Sequence, residues 1–293
     1  MIPYLHGTVY NDRMQRSQRH KMIITAVETG PKTVENLAAL TGASAITVRR
    51  DLAELSECGI LQRIRGGAAP LPSRGAQYPF ALRQTEHAGV KQALAEAAAT
   101  LVKPGDAVLI DNGTTALAVA SQLAGLGITA LALSLHAAAA LASKPGNQVI
   151  VPGGPISYDD LSFAADSAEQ SIRQMRFDYA FIGSCAAQPD SGLTVADWSE
   201  AQTKKTILTS TLHPVLVATA DKFERTAAHR FASLGDMDTL ITTADTPSSA
   251  LAEARICGLT LITVTVPKDN ARQQLTGTNP LSIKSAVMDS AEC

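Results

Sequence analysis

Apolar residues recur at helical spacing in three short stretches near the start of the chain, and the polar residues between them mark where each stretch ends. From 16 to 28, Ile23, Ile24 and Val27 fall on one side of a helix, and Gly30 followed by Pro31 stops it. Thr33 is placed to cap a second helix, with Glu35 and Asn36 in its first turn and Val34, Leu37 and Ala38 on its inner stripe. The turn from Thr41 to Ser44 follows, in which Gly42 is free to take a left-handed conformation. Ser44 then caps a third helix with Val48, Leu52 and Leu55 at i, i+4, i+7. Thr47, Arg50 and Glu54 lie opposite that stripe, Arg49 is on the flank, and Gly59 ends the helix. Residues 60–70 (ILQRIRGGAAP) read as a strand closing in a glycine turn, with Arg63 and Arg65 two apart and so on the same side.

The pattern then changes. A proline-rich stretch with little periodicity reads as a linker, and residues 83–102 as an alanine-rich lead-in helix. Short apolar runs begin at 107, 128, 148, 179, 214, 239 and 260, with helical stretches at 114–125, 135–143, 167–175, 199–210 and 247–256. Strands that are apolar without alternation, each followed by a helix, imply a mostly parallel sheet covered by helices. The expected organisation is a small helical head at 13–70, a linker at 71–85, a larger α/β domain at 86–267, and a polar, patternless tail at 268–293 that reads as disordered.

Charge sharpens this division. The net charge is only −2, but residues 11–74 carry ten Lys and Arg against six Asp and Glu, while residues 75–293 carry fifteen against twenty-one. A basic head on an acidic body suggests a polyanion partner for the head alone. Two short helices joined by a glycine turn, the second with cations near its start, form a helix-turn-helix pattern suited to the major groove of double-stranded DNA. The candidate contacts are Thr33, Ser44, Thr47, Arg49 and Arg50, with Arg63 and Arg65 on the wing. Cys58, Cys185, Cys257 and Cys293 are far apart, and the six histidines show no ligand spacing. No metal, cofactor or catalytic set is expected. With no membrane-length apolar run and no signal peptide in view, the expectation is a cytoplasmic protein without membrane contact.

In a parallel sheet, ligands bind beyond the carboxyl ends of strands. Asp111, Gly113, Thr114 and Thr115 lie between a strand and a helix: glycine for close approach, hydroxyls and free helix amides for a phosphate, and a carboxylate for sugar hydroxyls. Gly153, Gly154 and Lys222 follow other strand ends, and Glu200 is a further polar candidate. Trp198 reads either as a pocket cover or as a partly buried packing residue.

The run from Ser44 to Ala68, S-x-x-T-V-R-R-D-L-x-x-L-x-x-x-G-x-L-x-R-x-x-G-G-A, resembles the winged helix-turn-helix of the DeoR family of bacterial transcription regulators. Asp51 within it fits an orienting partner for an arginine. The strand-end positions, with Gly192–Thr194, Glu200–Ala201 and Asp221–Phe223, follow the order of that family's C-terminal domain. The resemblance implies a domain like ribose-5-phosphate isomerase that binds phosphorylated sugars, and a homodimeric or homotetrameric regulator of carbohydrate metabolism genes, a repressor. Departures fall at Ala132 and Leu133 before Ser134, at Ala165, and at Gly183–Ala186. Two other readings stand beside this one: a sugar-phosphate isomerase-like enzyme with an accessory head, and a DNA-binding protein with an unliganded body.

Overall fold

The computed structural model describes residues 16–57, 60–70 and 80–265. Gly59 as a helix stop, Cys58, Cys293, the start of the head at 13–15, most of the linker and the tail lie outside the described residues.

In the head, α1 (Arg16–Glu28), α2 (Val34–Thr41) and α3 (Ala45–Glu57) form where their apolar stripes place them. Ile23, Val27, Leu37, Val48, Leu52, Leu55 and Leu61 meet in one buried cluster. The Thr33 hydroxyl accepts the amide of Asn36 at 3.2 Å, and Gly42 closes α2 at φ 66°. Behind α3 comes β2 (Leu61–Ile64), then β3 (Gly67–Pro70). The head also contains a strand that the sequence pattern did not indicate. β1 (Lys32–Thr33) pairs with β3, so the wing is a three-stranded antiparallel sheet in the order β1-β3-β2. Gly67 permits it, because a Cβ there would lie 2.0 Å from the carbonyl oxygen of Lys32.

The body opens with α4 (Phe80–Thr85) and α5 (Ala88–Ala99). This corrects the expected single helix over 83–102: the chain turns at His87, which has a φ of 52° although neither glycine nor proline marks the break. After it come β4 (Ala107–Ile110), α6 (Thr114–Gln122), β5 (Thr129–Ala132), α7 (Leu135–Leu141), β6 (Gln148–Ile150) and α8 (Ala165–Arg173). The remainder is β7 (Phe177–Ile182), β8 (Ala186–Gln188), β9 (Gly192–Val195), α9 (Trp198–Thr209), β10 (Thr211–Val217), β11 (His229–Ala232), β12 (Thr239–Thr243), α10 (Ser248–Ile256) and β13 (Thr260–Val264).

Seven strands make one parallel sheet in the order β13-β12-β10-β7-β4-β5-β6. Both faces are covered, which is why its strands read as unbroken apolar runs. Leu109, Ile182 and Leu216 face one core; Ile110, Phe181 and Val217 face the other. The chain leaves β4 toward β5 and β6 on one side and later returns to β7 on the other. The strand order therefore reverses between β4 and β7, and a crevice opens at their carboxyl ends. A separate antiparallel sheet, β11-β9-β8, packs near this end and was not legible as strands.

Candidate functional site

On α3 the Ser44 hydroxyl accepts the Thr47 amide at 3.2 Å and bonds the Thr47 hydroxyl at 2.8 Å, so both residues are engaged in starting the helix. Arg49 and Arg50 are exposed. Arg50 lies 3.8 Å from Glu54 one turn on, an exposed pair that a phosphate or base edge can displace. Arg63 and Arg65 stand exposed on and beside β2. The partner of Asp51 is not the adjacent Arg50 but Arg19 of α1, whose Nη2 donates at 3.0 Å while its Nε bonds the other oxygen. His20 Nε2 is 3.1 Å away on the same carboxylate. Burial pushes the Asp51 carboxyl up, but the hydrogen bonds from Arg19 and His20 outweigh it and hold the carboxyl below its ordinary value. This knot locks α3 against α1 and fixes how its outer face is presented. His20, Asp51 and Glu54 also offer three ligand atoms within 4.8 Å, but Arg19 and Arg16 already neutralise the two carboxylates, which removes the attraction for a cation.

The loop from Asp111 to Thr115, read from the sequence as a candidate for phosphate, lies at the β4/β7 crevice. Gly113 precedes α6 at φ 101°, and Thr114, Thr115 and Gly113 line a cavity of about 400 Å³. Lys222 and Glu200 line it too, together with Arg83, Lys91, Ser184 and Arg225, which the sequence pattern had not marked. An adjoining hollow of about 790 Å³ shares Asn112, Asp160, Glu200 and Lys204 with it.

Asp111 is drawn back from the opening. It is buried, accepts the Gly183 amide at 2.9 Å, and is ion-paired with Lys204 of α9. Lys204 is 1% exposed, lies 3.3 Å from Glu200, and was missed because lysine after lysine reads as surface. Burial works against the Lys204 ammonium, but Asp111 and Glu200 outweigh it and raise its pKa above the ordinary lysine value. This trio is the floor of the crevice. Burial likewise pushes the Glu200 carboxyl up, against the pull of Lys204.

The wall carries Arg83, Lys91, Lys222 and Arg225 beside the carboxylates Glu86, Asp160 and Asp221. Among the described residues no carboxylate lies within ion-pair distance of the Lys222 ammonium, and burial pushes its pKa below the ordinary value. Burial lowers Lys91 to about 8; its ammonium donates to the carbonyls of Arg83 and Glu86, the latter at 2.7 Å. The Ser184 hydroxyl is buried with no hydrogen-bond partner among the described residues.

Other expected residues are placed elsewhere. Ser134 caps α7, accepting the Ala137 amide at 3.2 Å, and is covered through its bridge to Ser162. Gly153 and Gly154, at φ 76° and 80°, shape the loop after β6 and line neither hollow. Trp198 is 61% exposed at the start of α9 and lines neither hollow; it meets His229 edge-on at 5.7 Å between ring centroids, with Lys205 over its face.

Comparison with known proteins agrees with this geometry. Residues 19–74 match the DeoR-like helix-turn-helix domain, and residues 86–244 the DeoR C terminal sensor domain. The HTH-type transcriptional regulator GlpR of Haloferax volcanii is 30% identical over 257 residues, 85% of this chain and 98% of that one. The glycerol-3-phosphate regulon repressors of Escherichia coli (strain K12) and Haemophilus influenzae are 31% and 33% identical, covering 81% and 78% of this chain and 95% and 90% of theirs. Among solved structures, ribose 5-phosphate isomerase A of Methanocaldococcus jannaschii aligns over 47% of this chain and 55% of that one, at 17% identity and a TM-score of 0.35, too loosely to bear on chemistry. The chain belongs to the DeoR family of transcriptional regulators.

Proposed function

We propose, from membership of that family, that this chain represses genes of carbohydrate-phosphate use, holding operator DNA through α3 and the wing and releasing it when a phosphorylated sugar enters the crevice. The observation that carries the ligand half is Lys222. A half-buried ammonium with no ion-pair partner among the described residues, lining a cavity that also takes in the start of α6, is incomplete until an anion arrives. Arg83 and the unpartnered Ser184 hydroxyl add donors. The glycerol-3-phosphate regulon repressors among the relatives support the same class.

Occupancy reaches the head by a short route in this reading. Arg83, Glu86, His87 and Lys91 make one wall of the cavity, and α4, which carries Arg83, follows directly on the linker. Phe80 anchors α4 by stacking on His136 of α7 at 4.4 Å between ring centroids. An anion that draws on Lys91 and Arg83 competes with the bonds that hold α4, and so biases the segment from which the head hangs. The chain works as a cytoplasmic dimer or tetramer, since a winged helix reads one half-site.

Two results test the halves separately. Arg50→Ala is expected to weaken operator binding by about 1–3 kcal/mol in fluorescence anisotropy at fixed salt. Unchanged affinity and sequence preference would remove α3 from the interface. In calorimetry at pH 7 and above, where the phosphate is mostly a dianion, sugar-phosphate affinity is expected to fall as pH rises through about 8, where Lys91 of the unliganded protein loses its proton. Lys91→Met should reduce that slope, leaving what the Lys222 ammonium contributes.

Glu200 favours a second reading, isomerisation, because a carboxyl raised by burial beside a sugar site suits a general base. Its partner Lys204 is itself tied to Asp111, which leaves no free acid beside it, and we propose no catalysis. Interconversion of ribose 5-phosphate and its ketose by the purified protein, followed by NMR, would reverse this.

A further inference from the structure

The outer face of α3 has an apolar residue at its centre. Ile46 is 78% exposed in the first turn of the helix. On a helical wheel it lies opposite the buried Val48 and Leu55, one turn before Arg50 and three residues before Arg49. The Ser44 and Thr47 hydroxyls beside it bond each other, and Arg50 makes only an exposed, displaceable pair with Glu54. The atoms that α3 holds out at its leading end are therefore the Ile46 side chain and the two guanidiniums. Exposed isoleucines are ordinary on protein surfaces, and this one gains meaning from its position, where a helix in the major groove meets base edges. Of the groups that base pairs present in that groove, the thymine C5-methyl is the apolar one; the rest are hydrogen-bond donors and acceptors, which leave an isoleucine nothing to pair with.

We infer that Ile46 is a specificity-determining residue that packs on thymine methyl groups, so that the operator carries thymine at the base pairs beneath the first turn of α3. The inference rests on the reading of α3 as the helix that enters the groove. It divides recognition between two chemistries. Arg49 and Arg50 supply the charge-assisted contacts to phosphate or guanine, and Ile46 adds discrimination for thymine without adding charge.

The test uses the full-length protein. A preferred duplex is first selected from a random-sequence pool, and each thymine in it is then replaced singly by deoxyuridine, which removes the methyl and keeps every hydrogen-bonding group. Binding is read by fluorescence anisotropy at fixed salt. The wild-type protein is expected to lose about fourfold in affinity at one or two positions in each half-site, the factor that burial of about one methyl group supplies. Ile46→Ala is expected to bind the thymine duplex more weakly and to show no further loss with deoxyuridine at those positions, while Ile46→Val keeps the dependence. Ile46 contributes nothing to the core, and alanine is the better helix former, so the variant folds. Deoxyuridine without effect at every position, or the same effect in wild type and Ile46→Ala, overturns the inference. A pool that yields no enriched sequence takes down the operator reading of α3, and this contact with it.

Discussion

Lys204→Met is expected to destabilise the sensor domain by about 3–5 kcal/mol, the range for removing one partner of a buried pair. Methionine matches the lysine stem in volume, so packing is nearly conserved and the effect is electrostatic. It leaves Asp111 and Glu200 facing each other in the crevice floor without the ammonium between them. Asp111 still accepts the Gly183 amide, which joins the ends of β4 and β7, but an ionised carboxylate stripped of its counter-charge cannot remain there cheaply. The raised folded pKa of Lys204 fixes the sign with pH: its stabilisation is complete below the ordinary 10.5 and is lost as pH rises through the still higher folded value, so at neutral pH it is fully present. In urea the midpoint should fall by more than about 1 M. Lys205→Met is the control. Its ammonium lies over the exposed Trp198, and its loss should change stability by less than about 0.5 kcal/mol.

Asp51→Ala should act on the head with comparable force, about 3–5 kcal/mol, because it removes the buried carboxylate that Arg19 and His20 both bond. Loss of operator binding should accompany the loss of stability, since the carboxylate holds the orientation of α3 and does not itself face outward: Asp51 is 1% exposed. The folded pKa of Asp51 is lowered, so its contribution is complete above the ordinary 3.8 and disappears as pH falls through the lower folded value. Thermal unfolding of the full chain at neutral pH reads the effect directly. A melting point within a degree of wild type would mean that the knot with Arg19 carries no stability. Arg19→Met combined with Asp51→Leu, which removes both charges and keeps the volume, should recover much of the loss.

The alternation of strand and helix in the body was legible because a strand buried on both faces has to be apolar throughout, and runs such as Val108–Ile110 and Leu240–Ile241 satisfy that. The small antiparallel sheet was not, since Ala186–Gln188 and His229–Ala232 are short and partly polar and take their shape from one another. The break at His87 escaped notice because a positive φ at histidine carries no local signal in the sequence.

The site divides the same way. The loop from Asp111 to Thr115 could be read from its neighbours alone, but the cavity wall could not, because Arg83 and Lys91 belong to a segment whose alanine content suggests only a helix. Lys204 had a faint signal in its spacing. It stands three after Ala201 and three before Ile207, on the buried stripe of α9. Ser134, Gly153 and Gly154 lie at strand ends as expected, yet Ser134 is buried beneath its bridge to Ser162 and the two glycines lie outside both hollows, so proximity to the sheet edge did not become access to the crevice.

In the proposed function, one anion in the β4/β7 crevice controls the grip of α3 on DNA. The most direct measurement is fluorescence anisotropy of the full-length protein on the DNA upstream of its own coding sequence and on a shuffled duplex, with phosphorylated sugars titrated in at fixed salt. The account predicts tight binding to the first duplex only, weakened severalfold by a sugar phosphate and not by the unphosphorylated sugar. Equal, weak binding to both duplexes, indifferent to every sugar phosphate, would contradict it.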